Sequence, residues 1–456
     1  MALAEATERK AARWLVFQNA AIVGVFTSLT KIAAAVKVAV TARYFGASDE
    51  LDAFLIAFLL PSFFVDTIAG TFTPSLVPEL MRARSKQTNA EAGTANAVSL
   101  AQSGLTLVLA AMVPVMIALA ILGRWALPLL GSSFSADKLD ISFSLFLGML
   151  VWLPLGACSS TWRAVLNADG HVAIASAVPL GTPVITILAL FFGAARWGVV
   201  VLCVAVALGA ITEFLVLAIA VRRLGYSLMP AWPGWTPEVR AIRRQYAPLL
   251  AGTMITAGCG LVDQAVAGSL GSGSVSALSY GTKFGAVLIA VGGTGMATAV
   301  LPEFSRLVSQ ERWQALRRAV WAHAGLALLL LIPVTAAFMW WSADVVRWMF
   351  QRGEFTATDA ALVTQIQRFS LLQVPLAVTL MILQRLVTAL AASPLILRAG
   401  VAAMVANVVG DMTLPRIMGV RGVALAAAIA QAVFLIGLLA LLYAKEPRLF
   451  RRAEGR

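Results

Sequence analysis

Twelve stretches of this chain are apolar over about 20 residues or more, the length that crosses the hydrocarbon core of a bilayer. They fall near 16–43, 51–81, 95–123, 141–167, 172–195, 198–220, 246–269, 276–305, 319–342, 360–391, 394–414 and 422–444. Between them there is little else: apolar residues make up 60% of the 456 and charged residues 12%. A water-soluble domain carries about 25% charge, so this chain cannot cover a soluble surface. A cytosolic enzyme, a disordered chain and a coiled coil are excluded. The fold class predicted is an all-α polytopic membrane protein.

Basic residues orient the spans. With the N-terminus in the cytoplasm, the inner segments hold Arg9, Lys10 and Arg13, then Arg82, Arg84 and Lys86, and Arg163. They continue with Arg222, Arg223, Arg240, Arg243 and Arg244, then Arg306, Arg312, Arg317 and Arg318, then Arg385 and Arg398. Lys445, Arg448, Arg451, Arg452 and Arg456 close the chain. The opposite side receives fewer than half as many, so both termini are predicted on the cytoplasmic side of the membrane. The net charge of +13 would point to nucleic acid in a soluble protein. In a chain of spans it fits basic loops beside anionic headgroups, and no nucleic-acid partner is expected. The start, MALAEATERKAARW, runs into a full-length span, so no cleavable signal is expected.

The chain resembles itself. Shifted by 224 residues, Leu76-Val-Pro78-Glu79-Leu-Met-Arg82 falls on Val300-Leu-Pro302-Glu303-Phe-Ser-Arg306. Ala53 then falls on Ala277, Ser85 on Ser309, and Gly198-Val199 on Gly422-Val423; a shift of 222 puts Arg163 on Arg385. Six spans per half is an even number, so the halves share one orientation. The expected organisation is a tail at 1–15, an N-lobe at 16–223 and a cytoplasmic linker at 224–245. A C-lobe at 246–444 and a basic tail at 445–456 complete it. Two parallel six-helix lobes are expected to enclose a central cavity, the plan of an alternating-access transporter. Pro61, Pro154, Pro375 and the pair Gly292–Gly293 are candidate kinks.

Ionisable groups within spans are costly and are functional candidates by default. Lys31 and Lys37 share the first span and Lys283 lies in the eighth. Arg43 sits near the outer end of the first span and Asp52 at the outer start of the second. The acids placed within spans are Asp66, Glu213 and Asp263. The excess of lysine predicts a basic cavity that attracts an anion. Asp263 is expected either to pair with a lysine or to cap a helix. Cys158, Cys203 and Cys259 read as small buried hydrophobes. His171 and His323 stand far apart, so no metal site or cofactor is expected.

These residues carry a family likeness. The run from Lys31 through Lys37 and Arg43 to Tyr-Phe-Gly46-Ala, then Leu51-Asp52-Ala-Phe-Leu-Ile-Ala-Phe58 and Pro61, resembles the opening of the MurJ/MviN family of lipid II flippases. Gly273-Ser-Val-Ser-Ala-Leu-Ser-Tyr280, Leu301–Arg306 and Phe350-Gln-Arg-Gly-Glu-Phe-Thr356 resemble its eighth span and the loop before its tenth. The resemblance implies that Lys31, Lys37 and Lys283 stand where the family has cavity arginines that engage a lipid diphosphate. Asp52 stands at the family's acid in span two. Lysine keeps the charge but lacks the bidentate fork of arginine. Val38, Thr282 and Ala69 replace family acids, and Val65 and Asp66 stand near a missing arginine pair. The family usually has fourteen spans, and twelve are read here.

The function expected is a flippase for an undecaprenyl-diphosphate-linked saccharide, either lipid II or an exopolysaccharide or O-antigen precursor. Lys31, Lys37 and Lys283 would bind the diphosphate, and Arg43, Asp52, Asp66 and Asp263 would line or gate the cavity. No Walker-type phosphate loop occurs, so energy would come from an ion gradient or the membrane potential. Membrane lipids and the proteins of polysaccharide or cell-wall synthesis are the expected partners. The alternative is a cation-coupled multidrug exporter on the same scaffold, which the three lysines oppose. An enzyme is not expected: the longest outer loops, near 124–140 and 343–359, are short and lack histidine. A non-transporting scaffold is the remaining reading.

Overall fold

The computed structural model describes residues 2–85 and 90–450, with the side chains of 2–21, 85, 90–92, 294, 295 and 297–299 left aside. The expectations for Arg9, Lys10 and Arg13 therefore fall on side chains that are not described, and those for Lys86, Arg451, Arg452 and Arg456 lie outside the described residues. Within them the protein is helical, without strands. Twelve helices are long and apolar enough to cross a membrane. They are α1 (Ile22–Phe45), α2 (Asp49–Arg84), α3 (Gly93–Leu130), α4 (Ala136–Ala168), α5 (Val172–Trp197) and α6 (Val200–Arg223). The second six are α7 (Pro237–Gly268), α8 (Ser274–Gly293), α9 (Trp313–Trp340), α10 (Ala357–Ala389), α11 (Pro394–Met418) and α12 (Val420–Lys445). Each overlaps one apolar stretch of the sequence.

Large apolar side chains stand out from the helices, such as Leu129, Phe192 and Leu329. A soluble monomer rarely leaves so much apolar surface bare; here it belongs to lipid. Trp125, Trp197, Trp340 and Trp341 are exposed near span ends, the level at which indole rings settle between headgroups and acyl chains.

The chain forms two compact units. One comprises 1–44, 57–128 and 136–253, the other 45–56, 129–135 and 254–456. In the first, α2 and α6 both pack on α4, and α5 packs on α6. In the second, α8 packs on α10 and α11 on α12. Phe304, Leu316, Leu386 and Leu438 are buried in that unit's core.

The repeat shows in the helix breaks. α4 is interrupted at Leu150–Val151 and α10 at Leu372. Pro154 and Pro375 follow these breaks by a few residues, as prolines do where a helix restarts. Gly198 and Gly419 both adopt positive φ, +53° and +61°, just before α6 and α12. This corrects the sequence register, which set Gly198 on Gly422. The third helix of the second half is shorter than that of the first, so the offset between halves shrinks after it. Gly292–Gly293 lies inside one continuous helix, Ser274–Ser309.

The sequence also placed Arg163, Arg385 and Arg398 in loops. All three sit within helices, Trp152–Ala168, Gln373–Ala389 and Pro394–Thr413. Arg163 is near enough to a helix end to read as loop, but its Nε lies 3.7 Å from Glu213 Oε1 on α6. Glu213 is therefore a helix-to-helix contact inside the first unit.

Candidate functional site

In the first unit, Lys31 and Lys37 lie on one helix that runs from Ala2 to Phe45. Alanine and other small residues around them hold the helix without a break. At 1.5 Å per residue, Lys37 is about 12 Å and Lys31 about 21 Å along the axis from Phe45. The two side chains are about 120° apart around it. Lys31 is exposed, Lys37 half-buried and in contact with its neighbours, and Arg43 exposed.

Asp66 sits in a single π-helical turn, Val65–Ala69, inside α2. Such a turn inserts an extra residue, re-aims side chains and is frequent at functional sites. Val65, Thr67, Ile68 and Ala69 are buried, while Asp66 is exposed. The irregular backbone is supported by Tyr246 of α7, whose hydroxyl donates to the Ile68 carbonyl at 2.9 Å. The Tyr246 ring packs edge-on against Phe72. At one end of the same unit Arg84 donates to Asp169 at 2.8 Å, and the Tyr226 hydroxyl donates to Asp169 at 2.9 Å. Burial, then the Asp169 carboxylate, pushes the Tyr226 phenol up, so it stays a donor. This triad ties the end of α2 to the turns after α4 and α6.

In the second unit, Lys283 is exposed on α8, about 14 Å along the helix from Ser274. The start of α8 is built with care. Asp52 is fully buried, and its Oδ1 accepts the Ser276 backbone N–H at 2.8 Å. A carboxylate at a helix N-terminus satisfies an orphan donor and the helix dipole together. The 224-residue repeat sets Asp52 on Ser276, so this bond joins equivalent positions of the two halves. Gly273 precedes the helix at φ +75°, and a Cβ there would lie 2.6 Å from the Ala47 carbonyl. Tyr280 donates to the Gly46 carbonyl at 3.1 Å and packs on Phe350 and Phe355. The three motifs read from the sequence, around Asp52, Gly273–Tyr280 and Phe350–Thr356, thus meet at one corner.

Asp263 does something the sequence did not foresee. Its Oδ1 accepts the Asn407 amide at 2.9 Å. Asp411, one turn beyond Asn407 on α11, is buried and close enough to Asp263 to interact with it electrostatically. Neither Asp411 oxygen has a donor among the described residues. Asn407 thus supplies a donor to Asp263, whereas the buried Asp411 carboxylate, without one, is costly as a bare charge and is satisfied by a proton or a cation. A cavity of about 350 Å³ opens beside them, lined by Cys259, Asp263, Gln373, Gln384, Asn407 and Gln431. Among the described residues no group of three or more His, Cys, Asp or Glu is placed to hold a metal ion. The three cysteines are free. Asn407 and Asp411 were missed because Asp411 falls near the end of its apolar stretch. Their four-residue spacing, which sets them on one helix face, was the available signal.

A family model described as lipid II flippase MurJ matches residues 41–453. The chain belongs to the lipid II flippase MurJ family. That family is one of transporters and not of enzymes, and its members flip a lipid-linked saccharide. With twelve apolar helices, this MurJ-family chain is a multi-pass protein of the bacterial inner membrane. A probable lipid II flippase MurJ of Rhizobium tropici is 25% identical over 418 residues, 87% of this chain and 75% of the relative. The lipid II flippase MurJ of Burkholderia cenocepacia is 24% identical over 354 residues, 75% of this chain and 67% of the relative. The Vibrio cholerae relative is 25% identical and 66% covered, so the chain spans about two thirds to three quarters of their length. Among solved structures, a lipid II flippase MurJ in an inward closed conformation superposes with TM-score 0.79 at 18% identity, covering 92% of this chain and 87% of that one. An inward-facing multidrug resistance MATE transporter gives 0.74 at 16% identity, covering 94% and 96%. Both show a shared fold. The family match holds Arg43, Asp52, Asp66, Asp263 and Lys283, whereas Lys31 and Lys37 precede it.

Proposed function

We propose that this MurJ-family chain moves a polyprenyl-diphosphate-linked saccharide from the inner to the outer leaflet by alternating access, with both termini cytoplasmic. The observation that carries the reading is the set of ammonium groups well inside spans: Lys31 and Lys37 on α1 and Lys283 on α8. A diphosphate taken out of water without counter-charge costs many kcal/mol, so a carrier for it needs such groups. Lysine meets that need as a point charge, without the fixed geometry of a guanidinium fork. Arg43 and Asp66 belong to the same headgroup path in this reading. Asp52 acts by fixing the start of the helix that bears Lys283.

Coupling is assigned to the second unit. In this reading the Asp263–Asn407–Asp411 cluster takes up a cation or proton at the buried Asp411 carboxylate, and α7 and α11, which supply it, are two of the spans that must move. Binding and release of that cation or proton would bias the unit between two packings. The MATE likeness suits a multidrug exporter equally as a scaffold, but lysines in the path would repel cationic drugs.

Flipping of labelled lipid II and of a labelled undecaprenyl-diphosphate O-antigen unit by the chain in proteoliposomes tests the reading. Movement of one or both across the bilayer is expected. Movement of neither, with export of a cationic dye instead, would replace the flippase by the exporter.

A further inference from the structure

The segment that joins α6 to α7 is not a bare connector. From Leu224 to Thr236 it carries no charged residue and ends in Met229-Pro-Ala-Trp232-Pro-Gly-Trp235. It is tied down by its backbone. Gln102 Nε2 donates to the Met229 carbonyl at 3.2 Å, and Thr106 Oγ1 donates to the Ala231 carbonyl at 3.0 Å. The anchor point matters. On α3 polar side chains recur at Asn96, Ser99, Gln102, Ser103 and Thr106, and every residue from Leu107 to Gly123 is apolar, so Gln102 and Thr106 stand where the helix turns wholly apolar. The segment is therefore held at the level where α3 enters the membrane.

Its large side chains point away from the protein. Met229 is 72% exposed, Trp235 51% and Trp232 42%. The two indoles meet edge to face, and Arg243 lies over the Trp235 ring at 5.0 Å. Arg222 and Arg223 at the end of α6, and Arg240, Arg243 and Arg244 in the first turns of α7, are all exposed. Glu238 is the only acid between Arg222 and Arg244. Apolar and indole groups at the boundary, rimmed by arginine, match an anionic bilayer surface in both polarity and charge.

We propose that Met229, Trp232 and Trp235 seat in the headgroup boundary of the membrane, and that Arg240, Arg243 and Arg244 hold the phosphates of anionic phospholipids there. The linker is then a lipid-bound strap on the first unit. The proposal is independent of what the protein transports.

The test uses the full chain with Cys158, Cys203 and Cys259 replaced by alanine. Spin labels are placed singly at M229C, W232C and, as a water-facing reference, E311C. In liposomes of phosphatidylcholine with phosphatidylglycerol, labels at 229 and 232 are expected to be relaxed more by oxygen than by an aqueous nickel chelate. The label at 311 should show the reverse. Native mass spectrometry of R240Q/R243Q/R244Q is expected to show several-fold fewer phosphatidylglycerol adducts than the parent, with R240K/R243K/R244K retaining them. Labels at 229 and 232 as wet as that at 311 would overturn the proposal and leave the surface to a soluble partner or a second copy. Adducts unchanged in the glutamine variant would overturn the role given to the arginines.

Discussion

Replacing Asp411 by asparagine should make the protein more stable while impairing coupled transport. Asp411 is 2% exposed, and both its oxygens lack a hydrogen-bond donor among the described residues. A buried acceptor left unsatisfied costs about 1–3 kcal/mol, more when charged. An asparagine of nearly the same shape removes one charge and offers an amide donor to Asp263. In a buffer free of small alkali cations, Asp411→Asn is therefore expected to gain about 1–3 kcal/mol. For a unit of roughly this size each kcal/mol is worth about 2–4 °C in Tm. The wild type should close the gap when sodium or potassium is added, because a ligand at about 100 times its Kd contributes about 2.7 kcal/mol. The variant should not respond. Thermal unfolding in detergent, followed by tryptophan fluorescence across a cation titration, reads both effects. A variant less stable than wild type without cation, or one with an undiminished cation response, would refute the reasoning.

Two further substitutions address the supports of the site. Asp52→Ala removes the cap on α8 and should cost about 0.5–2 kcal/mol, with flipping reduced further because Lys283 rides on that helix; equal flipping at equal folded amount would count against a positioning role. Tyr246→Phe removes the 2.9 Å donor to the Ile68 carbonyl of the π turn and leaves only the longer Thr71 hydroxyl bond at 3.4 Å; it should cost about 0.5–1.5 kcal/mol, read as a lowered unfolding midpoint, whereas an unchanged midpoint would show that the turn holds itself.

The spans were legible because a bilayer demands a run of apolar residues and the chain supplies twelve, none shortened below crossing length. The repeat was legible through Pro78-Glu79 and Pro302-Glu303, yet these two copies have diverged in use. Glu79 is buried and accepts from Gln245 at 2.9 Å, while Glu303 is partly exposed near His323 at 3.6 Å. Such differences depend on which helix arrives alongside, and that is tertiary information. The same holds for Asp52, whose partner is a backbone N–H 224 residues away, and for the π turn at Asp66, which local composition does not announce. Arg163 shows a different limit. A charge near a span end reads as loop until a half-buried acid, here Glu213, is found to face it. Asp263 was visible as an intramembrane acid, but its meaning came from Asn407 and Asp411 on another helix.

The central claim is that the lysines within the spans supply the counter-charge for a lipid diphosphate. Its most direct test is flipping of a labelled undecaprenyl-diphosphate-linked saccharide in proteoliposomes by K31Q/K37Q/K283Q beside K31R/K37R/K283R, with folded amounts matched by size-exclusion chromatography. The glutamine chain is expected to lose flipping and the arginine chain to keep it. Wild-type flipping by the folded glutamine chain would contradict the claim.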